Sequence, residues 1–342
     1  MNFFNKLDKP YFLAEIGVNH NGSLAKAKKL IESAKKCGAS GVKFQTFSAK
    51  NLAETSTPKV KYQVETTGNK ETHFQMLEKL ELSFDEQVQL NKYCKKLKID
   101  FISTPYDIES AKFLNKLKVP FFKTASADLV DVELHEYIAS KNAPVVISVG
   151  MATYNEIQKT LNIYKGKNKN IILLHCVSNY PCSDISLNLN VIKTLKNKYK
   201  FPVGFSDHSK GSEAAIAATA LGAFFFEKHI TLNKKDKGPD HKASSSIKEF
   251  KDLVRSVKRA HTMMGIAVKK VQIEEMEMLA VSRKSIRYDI DLNKGTILNK
   301  NNLIFKRPGD GINPQRVKMI LGKKLKRSVK AGQKVRLSDC LK

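Results

Sequence analysis

Short, continuous apolar runs alternate with longer stretches of helical periodicity over the first three quarters of the chain. Eight of these runs are predicted strands, because continuous apolar runs are typical of parallel strands buried on both faces. The strands are Phe12–Val18, Gly41–Thr46, Asp100–Thr104, Phe121–Ala125, Val145–Val149, Ile171–Val177, Val203–Phe205 and Phe224–His229. Helices are predicted at Ser23–Cys37, Asp85–Leu97, Glu109–Leu117, Val132–Ser140, Tyr154–Tyr164, Val191–Tyr199, Ser212–Leu221 and Ile247–Met264.

This alternation predicts the fold class. Repeated βα units imply a parallel sheet with right-handed crossovers, and about eight units that close on themselves form a TIM barrel. A doubly wound sheet would carry a glycine-rich phosphate loop after its first strand, and Gly17–Gly22 does not match that pattern. We therefore predict an α/β fold built on a TIM (β/α)8 barrel.

The sequence changes character after the barrel. Residues 265–282 are helical and charged, and we interpret them as a linker or packing helix. Short β-type pieces and turns follow, which predicts a small β-rich domain near the lower size limit for independent stability. The expected domains are a catalytic barrel at 1–264, a linker at 265–282 and a β-rich domain at 283–342.

The formal charge of +27 does not by itself indicate a nucleic-acid-binding protein. Most of the charge is lysine spread over the whole chain, whereas recognition of bases and phosphates favours clustered arginine. We therefore expect no nucleic-acid partner, although the charge would attract anionic substrates. No apolar run approaches the roughly 18 residues of a membrane span, and residues 1–10 lack an apolar signal core. We expect a cytoplasmic protein without a membrane partner.

Cysteine usage predicts neither disulfides nor a thiolate metal site. The number of cysteines is odd and no C-x-x-C pair occurs. We therefore expect structural thiols at Cys37, Cys94, Cys176, Cys182 and Cys340.

Polar side chains at the strand ends carry the candidate chemistry. In a TIM barrel the carboxyl ends of all strands meet at one face, where active sites lie. Lys43 and Lys123 would then point into one mouth, and a buried lysine without a partner is costly. The pair predicts an anionic ligand such as a phosphate with a carboxylate. Hydroxyl groups that could bind the same oxygens belong to Ser126, Ser148 and Ser206.

Two histidines end consecutive strands and are expected to be neighbours. His208 and His229 would place two imidazoles together, with further coordination positions open, as in a catalytic divalent metal site. His20 is another candidate for the mouth, and His175 is equally compatible with the core. Three other histidines are expected on helices or at the surface rather than at the site: His73, His135 and His261.

Several ordered motifs resemble one enzyme family. They are A-E-I-G-V-N-H-N-G-S at 14–23, V-K-F-Q-T-F at 42–47, G-F-S-D-H-S at 204–209, E-K-H-I-T-L at 227–232 and G-P-D-H-K-A-S at 238–244. Together they closely resemble the sialic acid synthases, the N-acetylneuraminate synthase family. K-R-P-G-D-G at 306–311 and L-G-K-K at 321–324 resemble that family's C-terminal antifreeze-like (SAF) domain. The resemblance runs from about Leu13 to the C-terminus.

The resemblance implies an activity and an assembly. The implied reaction condenses phosphoenolpyruvate with N-acetylmannosamine, or a related N-acyl amino sugar, and water, and it gives N-acetylneuraminate and phosphate. The implied enzyme is a domain-swapped homodimer in which each SAF domain caps the partner's barrel. It uses a divalent metal, with Mn²⁺ expected and Mg²⁺ or Co²⁺ as alternatives.

The resemblance also implies roles for individual residues. The metal would lie on His208 and His229, and acidic residues of the site would be Glu15 and Asp128. Phosphoenolpyruvate would be held by Lys43, Thr104, Lys123, Ser126, Ser148 and Ser206. The sugar would be bound by Gln45, Tyr180, Asp240 and, from the partner subunit's SAF domain, Arg307.

Two departures from the family pattern concern the substrate. The usual S-G-E is Ser126-Ala127-Asp128 here, which shortens the carboxylate by one methylene, and the usual S-T-G-M has Val149 in place of threonine. The alternative within enzymes is a legionaminate synthase that uses a 2,4-diacetamido-6-deoxy mannose, and a pseudaminate synthase is a weaker alternative. The alternative outside enzymes is a degenerate sugar- or nucleic-acid-binding protein.

Overall fold

The computed structural model describes Phe4 and residues 9–341. The chain divides into two compact units, Met1–Gly265 and Ile266–Lys342. Within the described residues, no helix is long and apolar enough to cross a membrane. All five cysteines are buried and free of disulfides.

The first unit is an eight-stranded parallel barrel. Its hydrogen-bonded order is β3-β2-β1-β8-β7-β6-β5-β4, and the end strands β3 and β4 lie side by side, so the ring is nearly closed. This confirms the predicted α/β barrel. The strands are β1 Tyr11–Gly17, β2 Gly41–Thr46, β3 Asp100–Pro105, β4 Phe122–Thr124, β5 Val145–Ser148, β6 Ile171–His175, β7 Val203–Asp207 and β8 Phe225–Thr231; a short strand, β9 Ser245–Ser246, pairs with β8.

Helices surround the barrel in the predicted alternation. They are α1 Leu24–Lys36, α2 Ala49–Leu52, α3 Lys61–Thr67, α4 His73–Glu78, α5 Phe84–Leu97, α6 Ile108–Leu117, α7 Val132–Ser140, α8 Tyr154–Tyr164, α9 Val191–Tyr199, α10 Glu213–Ala220 and α11 Ile247–Met264. The short helices α2, α3 and α4 were not predicted, because none is long enough to show helical periodicity. They form an insertion between β2 and α5.

The barrel interior is apolar in its lower layer and polar towards the carboxyl ends of the strands. Its apolar layer includes Leu13, Ile102, Phe121, Val146, Leu174 and Phe225. Successive side chains of a strand point to opposite faces, so the residue two positions later returns to the interior. Two positions on from this layer stand Glu15, Thr104, Lys123, Ser148, Cys176 and Glu227. One step along each strand therefore changes the interior from a packed core to a polar mouth.

The second unit is small and β-rich. It contains helix α12 (Met276–Ser282) and an antiparallel pair, β10 (Ser285–Tyr288) with β11 (Leu303–Lys306). Its core is built from Ile286, Tyr288, Leu298, Ile320, Leu325 and Val335. The unit begins at Ile266, so most of the segment that we interpreted as a linker falls within its bounds.

Candidate active site

A cavity of about 710 Å³ opens at the carboxyl ends of the barrel strands. Of the predicted site residues, those that line it are Glu15, Lys43, Gln45, Lys123, Ser126, Asp128, Ser148, Tyr180, Ser206, His208, His229 and Asp240. Thr104 lies behind the cavity wall and accepts a hydrogen bond from Lys43 Nζ at 3.0 Å. Arg307 belongs to the second unit, where its side chain is exposed.

Glu227 joins the two predicted cations. Its carboxylate lies 4.0 Å from Lys43 Nζ and 3.6 Å from Lys123 Nζ, and it accepts a hydrogen bond of 3.0 Å from Ser206. Lys123 also donates to the Ser148 hydroxyl at 2.6 Å. The two ammonium groups are thus gathered on the floor of one cavity. We did not assign Glu227 from the sequence, although the strand period places it on the same face as His229.

The charge state of Glu227 follows from this arrangement. Burial raises the pKa of its carboxyl, but the neighbouring Lys123 and Lys43 ammonium groups outweigh burial and bring the pKa to about 2. Glu227 is therefore ionised at neutral pH. Burial lowers the pKa of Lys123, whereas in Lys43 the carboxylates of Glu15 and Glu227 outweigh burial and raise it.

Glu15 is the second acidic residue beside Lys43. Its Oε2 lies 2.9 Å from Lys43 Nζ, and its Oε1 accepts a hydrogen bond of 3.4 Å from Gln45. Burial raises the pKa of Glu15 to about 7, with Lys43 opposing the rise and Glu227 adding to it. A carboxyl group with this pKa can give or take a proton near neutral pH, as general acid–base catalysis requires.

The two predicted metal-binding histidines are neighbours. The ring centroids of His208 and His229 lie 5.6 Å apart, and Tyr180 packs against both rings at 4.2 and 5.4 Å. His208 Nδ1 donates to the Val177 carbonyl at 2.7 Å, so Nε2 keeps its lone pair, and the Ser206 hydroxyl lies 3.4 Å from it. Burial lowers the pKa of both imidazoles, so they are neutral and able to bind a metal.

An orphaned nitrogen supports a metal at this position. His229 Nδ1 is buried without a hydrogen-bond partner, and the nearest carboxylate oxygen, of Asp240, lies 3.9 Å away. Burial raises the pKa of Asp240 to about 6. Within the described residues, no cluster of three or more His, Cys, Asp or Glu side chains could hold a metal. The residues present therefore fit an ion that takes two imidazoles from the protein and its other ligands from substrate or water.

Asp128, the shortened family carboxylate, lies on the cavity wall with one oxygen buried and unpaired. Burial, reinforced by the negative charge of Asp131, raises the pKa of Asp128 to about 7. Ser126 is held by its neighbours, since its hydroxyl accepts from the Gly150 backbone N–H at 3.0 Å and contacts Cys176 Sγ at 3.1 Å. A side chain at Gly150 would collide with that hydroxyl.

The insertion supplies a wall that the sequence analysis missed. Its residues on the cavity include Leu52, Ala53, Val60, Tyr62, Met76, Leu77 and Leu80. Tyr62 packs against Tyr180 with 5.7 Å between ring centroids. Short helices with irregular connections carry no periodic signal, so no sequence pattern indicated that this segment lines the cavity.

Three other histidines have structural positions, whereas His73, at the start of helix α4, lines the cavity. His20 is buried but does not line the cavity, and its Nδ1 accepts from the Gly22 backbone N–H at 3.0 Å. His175 donates through Nε2 to the Leu187 carbonyl and lies in the core. His135 is on helix α7 as predicted, but it is fully buried and bonded to the Tyr164 hydroxyl at 2.8 Å, which corrects the surface alternative.

Comparison with known proteins decides the family. A model of the NeuB family matches residues 30–269, and a model of the SAF domain matches residues 283–340. The chain belongs to the NeuB family. It is therefore a sialic-acid-type synthase, a phosphoenolpyruvate-using enzyme that forms a carbon–carbon bond, with a barrel followed by an SAF domain.

Relatives of this NeuB-family chain cover nearly its full length. It is 41% identical to the N,N'-diacetyllegionaminic acid synthase of Campylobacter jejuni over 96% of this chain and 100% of the relative. It is 39% identical to the enzyme of the same name from Legionella pneumophila, over 94% and 92%. Among solved structures, the N-acetylneuraminic acid synthetase of Leptospira borgpetersenii, in complex with citrate, matches with a TM-score of 0.71 and 33% identity, covering 80% and 90% of the two chains.

Proposed function

We propose that this NeuB-family enzyme condenses phosphoenolpyruvate with 2,4-diacetamido-6-deoxy mannose and water, which gives N,N'-diacetyllegionaminate and phosphate. Two relatives that match nearly the whole chain carry that activity in their names. N-acetylmannosamine, the acceptor that the sequence analysis placed first, becomes the second candidate. The solved synthetase with 33% identity supports it.

One observation carries the proposal for phosphoenolpyruvate: two buried lysines meet on the cavity floor among serine hydroxyls. The Lys43 and Lys123 ammonium groups share the ionised carboxylate of Glu227, and Lys43 also pairs with Glu15. Their remaining positive charge suits the phosphate and carboxylate of phosphoenolpyruvate. Donors for the same oxygens would be Ser126, Ser148 and Ser206. Fixing both anionic groups would hold the methylene carbon of phosphoenolpyruvate in position to attack the aldehyde carbon of the sugar.

We assign a divalent metal to His208 and His229, with Mn²⁺ as the expected ion. When bound there, it would act as a Lewis acid on the aldehyde oxygen of the open-chain sugar. His208 is held in the required tautomer by the Val177 carbonyl. Tyr180 packs against both rings and would help to fix their orientation.

The acidic residues manage protons in the rest of the reaction. The methylene carbon of phosphoenolpyruvate forms a bond to the aldehyde carbon, and the aldehyde oxygen takes up a proton to become a hydroxyl. Positive charge develops on the neighbouring carbon, which bears the phosphate. Water adds to that carbon, and loss of its proton gives a tetrahedral intermediate. The carbon–oxygen bond to phosphate then breaks and leaves a ketone. Glu15, with a pKa near neutrality beside Lys43, is suited to take the proton of that water, and ionised Glu227 is placed to stabilise the positive charge.

We also propose that the active assembly is a domain-swapped homodimer. The proposal rests on the resemblance of the K-R-P-G-D-G segment, which contains Arg307, to the family's SAF domain. In such a dimer, Arg307 of one subunit would reach the sugar bound in the barrel of the other.

The test is an acceptor panel with the full-length protein. Phosphate release and product mass are measured with phosphoenolpyruvate, Mn²⁺ and one acceptor at a time: the diacetamido sugar, N-acetylmannosamine or N-acetylmannosamine 6-phosphate. We expect the highest kcat/KM with the diacetamido sugar and one phosphate released per product. A higher kcat/KM with either other acceptor would reject the legionaminate assignment. No phosphate release with any acceptor would contradict the reaction itself.

A further inference from the structure

The cavity has two chemically different sides, and the second side has no role in the reaction described above. The floor carries the lysines and hydroxyls. The insertion between β2 and α5 supplies another wall, which carries polar residues (Glu54, Thr57, Tyr62, Gln63 and His73) and an apolar group that we call the flank. The flank consists of Leu52, Ala53, Val60, Met76, Leu77 and Leu80.

The flank is a packed structure rather than a loose loop. Met76, Leu77 and Leu80 are buried in a cluster with Val18 and Phe47, and Leu52 and Ala53 pack against that cluster. The flank therefore has a fixed position over the barrel mouth.

Helix α3 is tied to the opposite rim of the cavity. The Thr66 hydroxyl donates to the carbonyl of Pro239 at 3.3 Å. Val60, at the start of α3, donates its backbone N–H to Gln63 Oε1 at 3.2 Å. Its side chain lines the cavity and is 53% exposed. An apolar group thus faces the space where an acceptor would lie.

A sugar hydroxyl against this surface would lose hydrogen bonds to water without forming new ones. A methyl group would instead bind more tightly there, because its apolar surface would be buried. The two candidate acceptors differ in this respect. The diacetamido sugar carries a C6 methyl in place of a hydroxyl and a second acetamido methyl at C4. It therefore offers two methyl groups where N-acetylmannosamine offers hydroxyls.

A phosphorylated acceptor fits the flank poorly for a second reason. Among the described residues that line the cavity, the lysines are Lys43 and Lys123, both on the floor. The insertion brings one acidic residue to the cavity, Glu54, and one histidine, His73, whose pKa is lowered by burial. Within one chain, a phosphate at C6 would thus find no lysine or arginine on this wall among the described residues that line the cavity.

We infer that the flank is the subsite for the methyl groups of the acceptor, and that Val60 and Leu52 are specificity-determining residues. This inference rests on the proposed legionaminate activity. It adds the part of the chain that selects a doubly acetylated, 6-deoxy sugar over a more hydroxylated one.

The test compares two valines of the same segment. Val60→Ala removes apolar surface from the flank, whereas Val64→Ala removes the same atoms from an exposed position of α3 that does not line the cavity. For each variant, kcat/KM is measured with the diacetamido sugar and with N-acetylmannosamine. We expect the ratio of the two values to fall about fivefold in Val60→Ala and to stay unchanged in Val64→Ala. Because both acceptors are assayed on one preparation, partial unfolding cancels from the ratio.

A second pair of variants tests Leu52. Leu52→Asn, similar in size but polar, should lower the ratio about tenfold, and Leu52→Met should preserve it. A ratio that stays at the wild-type value in both Val60→Ala and Leu52→Asn would overturn the inference, as would an equal fall in Val64→Ala. If the wild-type enzyme does not turn over the diacetamido sugar, the proposed function fails first. If the wild-type enzyme does turn over this sugar but the kcat/KM ratios of the variants equal the wild-type ratio, only the assignment of the flank fails.

Discussion

The ammonium of Lys228 lies 2.8 Å from the carboxylate of Asp207, and each residue directly precedes one of the two cavity histidines. Both side chains are buried. Asp207 also accepts from the Ser209 backbone N–H and hydroxyl at 2.8 and 2.6 Å, and Lys228 donates to the Ser209 carbonyl at 2.5 Å. Since side chains alternate along a strand, this ion pair ties β7 to β8 on the face away from the histidines.

Removing one partner of this pair should destabilise the barrel. Lys228→Met leaves the Asp207 carboxylate buried without its cation, and we expect unfolding in urea to cost about 3–5 kcal/mol less free energy than in wild type. The control is Lys79→Met, which breaks a surface pair with Glu71 and should change stability by less than about 1 kcal/mol. Equal losses in the two variants would contradict this account. The double variant Asp207→Asn/Lys228→Met should recover part of the loss.

Lys123 should matter for phosphoenolpyruvate more than for folding. In Lys123→Met we expect kcat/KM for phosphoenolpyruvate to fall by at least about 30-fold, because a buried hydrogen-bonded cation is lost from the anion site. The measurement is steady-state phosphate release, with circular dichroism to verify folding. Lys112→Met, at an exposed lysine of α6, should behave as wild type. A folded Lys123→Met enzyme with unchanged kcat/KM would exclude Lys123 from the anion site.

Metal binding should depend on both imidazoles of the pair. Calorimetric titration with Mn²⁺ should show one site per subunit in wild type, and that site should be lost in His208→Ala and in His229→Ala. Chelator treatment should abolish phosphate release, and added Mn²⁺ should restore it. His261→Ala, on the outer helix α11, provides the control. Retention of the site in both variants would place the ion elsewhere.

Asp128 should make stability fall as pH rises. The pKa of its carboxyl is raised by burial to about 7 in the folded protein, above the usual 3.8. Between about pH 4 and 7, the folded state therefore holds a proton that the unfolded chain has lost. The resulting contribution to the free energy of unfolding is fully present below about pH 4 and is lost as the pH rises through about 7. Asp128→Asn removes the effect. Between pH 5 and 8, wild type should lose more than about 1 kcal/mol relative to Asp128→Asn in urea unfolding. Parallel pH profiles would show that Asp128 ionises normally.

The proposed domain swap predicts complementation between two inactive variants. Arg307→Ala and His208→Ala each damage one part of a composite site, and a mixed dimer would contain one intact site. After random subunit exchange, activity should reach about a quarter of the wild-type value, because half of the dimers are mixed. Native mass spectrometry of isotope-labelled subunits measures the exchange. Proven exchange without recovered activity would argue against Arg307 acting in the partner's barrel.

The barrel was predictable because its signals are local. Continuous apolar runs and intervening helical periods identified all eight strands, and strand-end position brought Lys43, Lys123, His208 and His229 to one cavity. Glu227 needed more than position, since its importance comes from two lysines 104 and 184 residues earlier in the chain. That relation is visible only once the barrel has closed.

The insertion between β2 and α5 was beyond the reach of sequence patterns. Its helices are each seven residues or fewer, too short for an apolar period to repeat. They are held in place by distant groups, such as the Pro239 carbonyl that accepts from Thr66. The position of this cavity wall is therefore set by tertiary contacts rather than by local conformational preference.

Glu227 also bears on how tightly the proposed anion site would hold the phosphate product. Its carboxylate already neutralises part of the charge of Lys43 and Lys123 before any substrate arrives. An incoming anion finds both cations assembled, yet it must share them with a resident carboxylate. At the proposed anion site, we therefore expect released phosphate to bind less tightly than it would to two lysines without Glu227, and inhibition by inorganic phosphate to be weak.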